Sequence, residues 1–179
     1  MTGSTTAGTR LWTPNGFRED EWTHAESAEA LVGNGRFILP LQAFLGLDEE
    51  VRRSARERLG VLLQPGDELD KIVGLLDQLS LVALAFPAFN DGRSFSKGEL
   101  LRARHHFKGS VRATGQVLVD QLPHMLRLGF DEFEVSHPVL LKRLEEGQTG
   151  GLPVYYQPAV EQEPKGPKYS WRRKRPGAE

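Results

Sequence analysis

The chain has 179 residues, 39% of them hydrophobic and 26% charged, with a formal net charge of -1. That is the composition of one globular domain, large enough to bury roughly 70% of the surface its unfolded form exposes. Without cysteine there is no disulfide framework, thiolate metal site or cysteine nucleophile, and no window approaches the ~20 apolar residues of a membrane span.

The opening MTGSTTAGTR lacks a signal-peptide core, so a cytoplasmic location without membrane contact is expected. Residues 1–9 are small and polar, too poor in apolar groups to offset ordering entropy, and are expected to be disordered. Leu11 to Thr13, the turn signal Pro14-Asn15-Gly16 and the aromatics Phe17 and Trp22 predict a short hairpin or an extended arm. Phe37-Ile38-Leu39-Pro40-Leu41 is a short apolar run, and the Glu/Arg-rich stretch from about Asp48 to Arg58 predicts a helix.

From Gly60 the pattern alternates. Val61-Leu62-Leu63 reads as a strand, and Leu69, Ile72, Val73, Leu75, Leu76 and Leu79 recur at helical spacing after the Pro65-Gly66-Asp67 turn. The continuous run Leu81-Val82-Ala83-Leu84-Ala85-Phe86 suits a parallel strand covered on both faces. A polar loop, residues 90–94, follows, and Ser96-Lys97-Gly98-Glu99 fits a capping box opening the next helix. Ser110 to Thr114 is a strand and Gln116 to Leu128 a helix, in which Pro123 is harmless only if it falls in the first turn. Glu132-Phe133-Glu134-Val135 is the next strand, Ser136 caps a helix through Leu144, and Val154-Tyr155-Tyr156 is a final strand.

Repeated strand-helix-strand units with short connections imply right-handed parallel crossovers. The expected architecture is a single α/β domain over residues 10–160. Its mainly parallel sheet has about five strands with alternating helices, as an open sheet or half-barrel, a fragment of a TIM-like barrel. A half-barrel would leave edges for a partner to cover. Residues 161–179 are expected to be a disordered basic tail; they carry a charge of +3, which leaves -4 on residues 1–160. A slightly acidic body argues against a dedicated nucleic-acid binder; the aromatic and cationic run from Tyr169 to Arg175 suits an acidic partner at most.

Ligands of parallel α/β folds bind beyond the carboxyl ends of strands, so the residues after each strand are the ones to inspect. After the apolar strand come Asp91, Arg93, Ser94 and Ser96; on or after the next lie Arg112, Thr114 and Gly115; Ser136 and His137 follow the third. Two guanidiniums, hydroxyls and a capped helix start suit phosphate, sulfate or carboxylate. The candidate anion site comprises Asp91, Arg93, Ser94, Ser96, Arg102, Arg112, Gly115, Asp120 and Gln121. The competing account has Ser96 and Glu99 capping the helix, and Arg93 and Arg102 pairing with Asp91 and Asp120 to fix loops. No metal site is expected, because His24, His105, His106, His124 and His137 show no H-x-H or H-E-x-x-H spacing. Glu132 and Glu134, with Asp120 and Asp131, read as an acid-base pair or as a solvated strand end. No nucleophile elbow, dinucleotide fingerprint or P-loop occurs, so the catalytic residues and any cofactor stay unassigned.

Over Phe86-Pro87-x-Phe89-x-Asp91-Gly92-Arg93, then Ser96, Leu101-Arg102-x-Arg104, Gly109-x-x-Arg112-Ala113-x-Gly115, Asp120-Gln121 and Arg127-x-Gly129-Phe130-Asp131-x-Phe133-Glu134, the chain resembles the bacterial family known as domain of unknown function 934. The likeness extends weakly to residues 15–22 and to Tyr156-Gln157-Pro158. Where the family usually has Ala-Arg this chain has Gly98-Glu99, and where it has Tyr-Gly or a similar pair this chain has His105-His106. Gly98 in a first helical turn costs about 1 kcal/mol relative to Ala, so a local reason for it is expected.

What the resemblance implies is context, since such proteins are typically encoded beside assimilatory sulfite or nitrite reductase and adenylyl-sulfate reductase. It leads to an accessory protein of assimilatory sulfite reduction and cysteine biosynthesis, with sulfite or nitrite reductase or another sulfur-assimilation protein as partner, or a second copy of itself. The alternative is an oxyanion- or phosphate-binding, oxidoreductase-like enzyme of the same pathway, with Arg93 and Arg112 holding the substrate. A pure scaffold, with every charge structural, is the third reading.

Overall fold

The computed structural model describes residues 8–88 and 90–150. The expected final strand at residues 154–156, the basic tail, Phe89 and the first seven residues lie outside the described residues.

The chain opens with a hairpin of β1 (Arg10–Thr13) and β2 (Gly16–Arg18), turning at Gly16 with φ +106°. Then come β3 (Trp22–His24), β4 (Arg36–Pro40), helices α1 (Leu41–Leu45) and α2 (Glu49–Ser54), and β5 (Leu59–Leu63). Helix α3 (Asp70–Val73) leads to β6 (Leu81–Phe86), α4 (Arg93–Glu99) to β7 (Ser110–Gly115), and α5 (Leu122–Arg127) to β8 (Glu132–Val135). Helix α6 (Pro138–Glu145) follows.

The single domain is mixed α/β, as expected, but its sheet is larger and less uniform than the expected five mainly parallel strands. Among the described residues eight strands pair in the order β2-β1-β8-β7-β6-β5-β4-β3. From β3 to β8 all neighbours are parallel, whereas β1 runs antiparallel to β8 and to β2. The amino-terminal hairpin adds two antiparallel strands to the edge that β8 would otherwise expose, and β3 and β4 extend the other edge in parallel.

Chain connectivity forces this sheet to curl. Laid flat, eight strands span about 34 Å from first to last. The two end strands, β2 and β3, are joined by residues 19–21 alone, a link that reaches at most about 14 Å. The sheet therefore bends into a half-barrel until its ends approach. A contact across the hollow agrees, for His24 on β3 meets Glu134 on β8 at 2.7 Å although four strands separate them.

Curling gives the strands two unlike faces. On the convex face Leu39, Val61, Val82, Leu84, Ala113 and Phe133 pack under the helices, in one core with Phe44, Ile72, Leu101, Met125 and Leu140. On the concave face Ile38, Leu81 and Ala83 form a small apolar floor with Trp22 and Leu62 beside it. Strand β6 is buried at all six positions, as its unbroken apolar run predicts.

Several local expectations are corrected. Helix α4 starts at Arg93 with Gly92 as N-cap and no side-chain cap, so Ser96 lies inside the helix instead of capping it. The earlier start follows from Ser94, whose buried hydroxyl donates to the Ala85 carbonyl at 2.6 Å and draws the first turn onto β6. A π-helical turn, Leu100–Arg104, continues α4. The helix expected over residues 116–128 is confined to Leu122–Arg127, with Pro123 in its first turn. His137, not Ser136, is the N-cap of α6. The reason expected for Gly98 is also visible, since a Cβ there would sit 2.3 Å from the buried Phe130 ring.

Candidate functional site

Part of the expected anion site lies on the rim formed by the carboxyl ends of β6 and β7. Asp91 accepts from Arg93 Nε at 3.0 Å and from its Nη2 at 2.7 Å, which holds the Asp91 carboxyl below its ordinary range. Gly115 ends β7 with φ +95°, and any Cβ there would lie 2.5 Å from the Phe86 carbonyl oxygen. The next amide, from Gln116, donates to that same oxygen at 2.7 Å, so the two loops are joined at their base. Asp120 is exposed in the segment between β7 and α5, Gln121 is the N-cap of α5, and Ser96 is exposed on α4.

Arg102 is not there. Its guanidinium donates to the carbonyls of Gly129 (2.8 Å), Phe107 (2.7 Å) and Gly109 (2.8 Å) and to Asp131 (2.9 Å). Those acceptors precede β7 and β8, so Arg102 ties together the opposite, amino-terminal ends of the strands. Its carboxylate partner is Asp131, where the sequence suggested Asp120.

Arg112 lies in the hollow of the half-barrel, fully buried on the concave face of β7. Its Nη1 and Nη2 donate to the two oxygens of Asp20 at 2.9 and 3.0 Å, its Nε to Glu132 at 2.8 Å and Nη1 also to Glu134 at 3.1 Å. Burial works against its charge, and Asp20, Glu132 and Glu134 more than offset that, so the guanidinium stays protonated. Glu134 in turn accepts from the Thr114 hydroxyl at 2.6 Å and is hydrogen-bonded to His24 Nε2 at 2.7 Å. Burial alone would push its carboxyl up; the His24 and Thr114 hydrogen bonds and the Arg112 charge outweigh that and hold it at about 2. Glu134 is thus an ionised carboxylate, bonded on both oxygens, that fixes the orientation of the His24 ring.

Two cavities flank this framework. The first, about 510 Å³, opens where β2 and β3 approach; Arg18, Asp20, Trp22, His24 and Glu134 are in its lining. The second, about 640 Å³, lies at the amino-terminal ends of β6 and β7. Its floor includes Val73, Leu76 and Phe107, and Arg56, Lys108 and the pair His105-His106 surround it with the single carboxylate of Asp77. His106 holds φ +51°, a left-handed conformation uncommon outside glycine that costs of order 1 kcal/mol.

Sequence reasoning missed Asp20 and the role of Glu132 and Glu134, which it read as an acid-base pair or a solvated strand end. One signal for them existed: Glu132-x-Glu134 and Arg112-x-Thr114 both put polar residues on one face of a strand whose other face is apolar. It also left Lys97 unassigned. That side chain is 8% exposed and donates to the Gln64 and Pro65 carbonyls at 2.8 Å each, clamping α4 to the end of β5, and burial lowers its pKa.

Among the described residues no helix is long and apolar enough to cross a membrane. No curated protein matches the chain. A model of the family described as bacterial protein of unknown function (DUF934) matches residues 60–166, from β5 past the end of α6 and over more than half of the chain. The chain belongs to that family.

Proposed function

We propose that this is an accessory protein of assimilatory sulfite reduction that docks an acidic segment of a sulfur-assimilation reductase. The pathway comes from the resemblance. The docking role is carried by one observation, the cavity at the amino-terminal ends of β6 and β7. There Arg56, His105, His106 and Lys108 form no ion pair among the described residues, although the net charge of residues 1–160 is negative. An apolar floor flanked by two unpaired cations, Arg56 and Lys108, with two imidazoles beside them, fits a peptide that carries carboxylates around an apolar anchor. The alternative, a rim enzyme acting on an oxyanion in the same pathway, has less to stand on, because Arg93 and Arg112 already bond carboxylates.

Deletion of the gene should abolish growth on sulfate and sulfite, and sulfide or cysteine should restore it. Normal growth on all four sulfur sources overturns the pathway. The tagged protein should recover the reductase from lysate, and the double variant Arg56→Glu, Lys108→Glu should lose it while staying folded. Equal recovery by that variant overturns the docking surface.

A further inference from the structure

The cavity where β2 meets β3 holds groups that the docking role does not use. Arg18 faces Leu11 across the β1-β2 pair, and Leu11 faces Glu134 across the β1-β8 pair, so the three form one row on the concave face. The Arg18 backbone is thereby about 10 Å from that of Glu134, within reach of one small ligand for a side chain as long as arginine. The Arg18 side chain makes no hydrogen bond or ion pair among the described residues, and neither does Nδ1 of His24.

The other charges around the cavity are accounted for. Arg10 lies over the Phe17 ring and pairs with Glu145, Asp20 is held by Arg112, and Glu134 is held by Arg112, Thr114 and His24. Glu19 is exposed at the edge. Behind the imidazole stand three carboxylates, Asp20, Glu132 and Glu134, against the single guanidinium of Arg112. His24 Nδ1 and the free Arg18 guanidinium line the same cavity, and an imidazole N–H and a guanidinium both suit an oxyanion.

We propose that this cavity binds a small oxyanion, a carboxylate or an inorganic one, between the Arg18 guanidinium and His24 Nδ1. Glu134 is the positioning residue, keeping Nε2 engaged so that the second nitrogen serves the ligand. The site is independent of the docking surface, which lies at the other end of the strands.

Calorimetric titrations of the full chain with acetate in one arm, and with sulfite, sulfate and phosphate in the other, test this. One arm should give saturable binding. Arg18→Gln should weaken it about tenfold or more, the worth of one charge-assisted hydrogen bond, and His24→Gln should weaken it as well with the melting temperature kept. Arg53→Gln, on α2, controls for general surface charge and should change nothing. Absence of saturation by any of the four anions at tens of millimolar, an Arg53→Gln effect equal to that of Arg18→Gln, or binding by His24→Gln as tight as the parent's overturns the proposal.

Discussion

The two ends of the half-barrel treat charge in opposite ways. In the hollow, Arg112, Asp20, Glu132 and Glu134 satisfy one another, with Thr114 and His24 completing the set. At the amino-terminal ends of β6 and β7, Arg56, Lys108 and two histidines surround a cavity with no ion pair among the described residues. Buried charge must be paired because desolvation is costly, whereas exposed charge can stay unpaired at little cost and remains available to something outside the molecule. The contrast separates charges that build this fold from charges that can meet a partner.

The largest expected effect comes from breaking the paired end. Arg112→Met leaves three carboxylates facing one another without their cation and should cost about 3–5 kcal/mol of stability, read by chemical denaturation. Adding Glu132→Gln and Glu134→Gln should recover part of that loss. Recovery of none would mean that Arg112 acts by packing alone.

Acid should produce a slightly smaller effect at the same place. The Glu134 carboxyl is held at about 2 in the folded protein against an ordinary 4.5, so its folded pKa is depressed. The stability it contributes is complete above about pH 4.5 and is lost as pH falls toward 2, about 3 kcal/mol in all. Denaturation midpoints measured across that window should fall with pH, and Glu134→Gln should flatten the slope.

The apolar face of the same strands supplies a reference that no charge enters. Gly98→Ala drives a methyl group into the buried Phe130 ring and should cost about 1–3 kcal/mol at any pH. Smallest of all, Arg56→Gln and Lys108→Gln at the unpaired end should leave stability within about 0.5 kcal/mol of the parent while weakening partner capture. A large loss of stability there would erase the contrast between the two ends.

Much of the fold is legible in the chain. The all-apolar run of β6, the period-2 pattern of β8 and the Asn15-Gly16 turn each identify an element, because local periodicity and turn chemistry are properties of neighbouring residues. Helix starts were less legible. A capping box at Ser96 is a real local signal, yet α4 begins four residues earlier, with Gly92 as its cap, because Ser94 finds a carbonyl on β6, a partner nine residues back in sequence.

The site divides along the same line. Asp91 and Arg93 are two residues apart, so their pairing is readable, and Arg112 stands out as a cation on a strand. Its partners are Asp20, 92 residues away, and Glu132 and Glu134, 20 and 22 residues away. The alternation of Glu132 and Glu134 says only that they share a face. Whether that face is wet or enclosed depends on the curl of the sheet.

By itself, then, the sequence determined the alternating elements, the absence of cysteine chemistry and the separation of an acidic body from a basic tail, all of which follow from composition and spacing. Only the tertiary structure decided that residues 19–21 close the sheet upon itself. That closure is a long-range constraint, and it turned one face of β7 and β8 into the interior where Arg112, Glu134 and His24 meet.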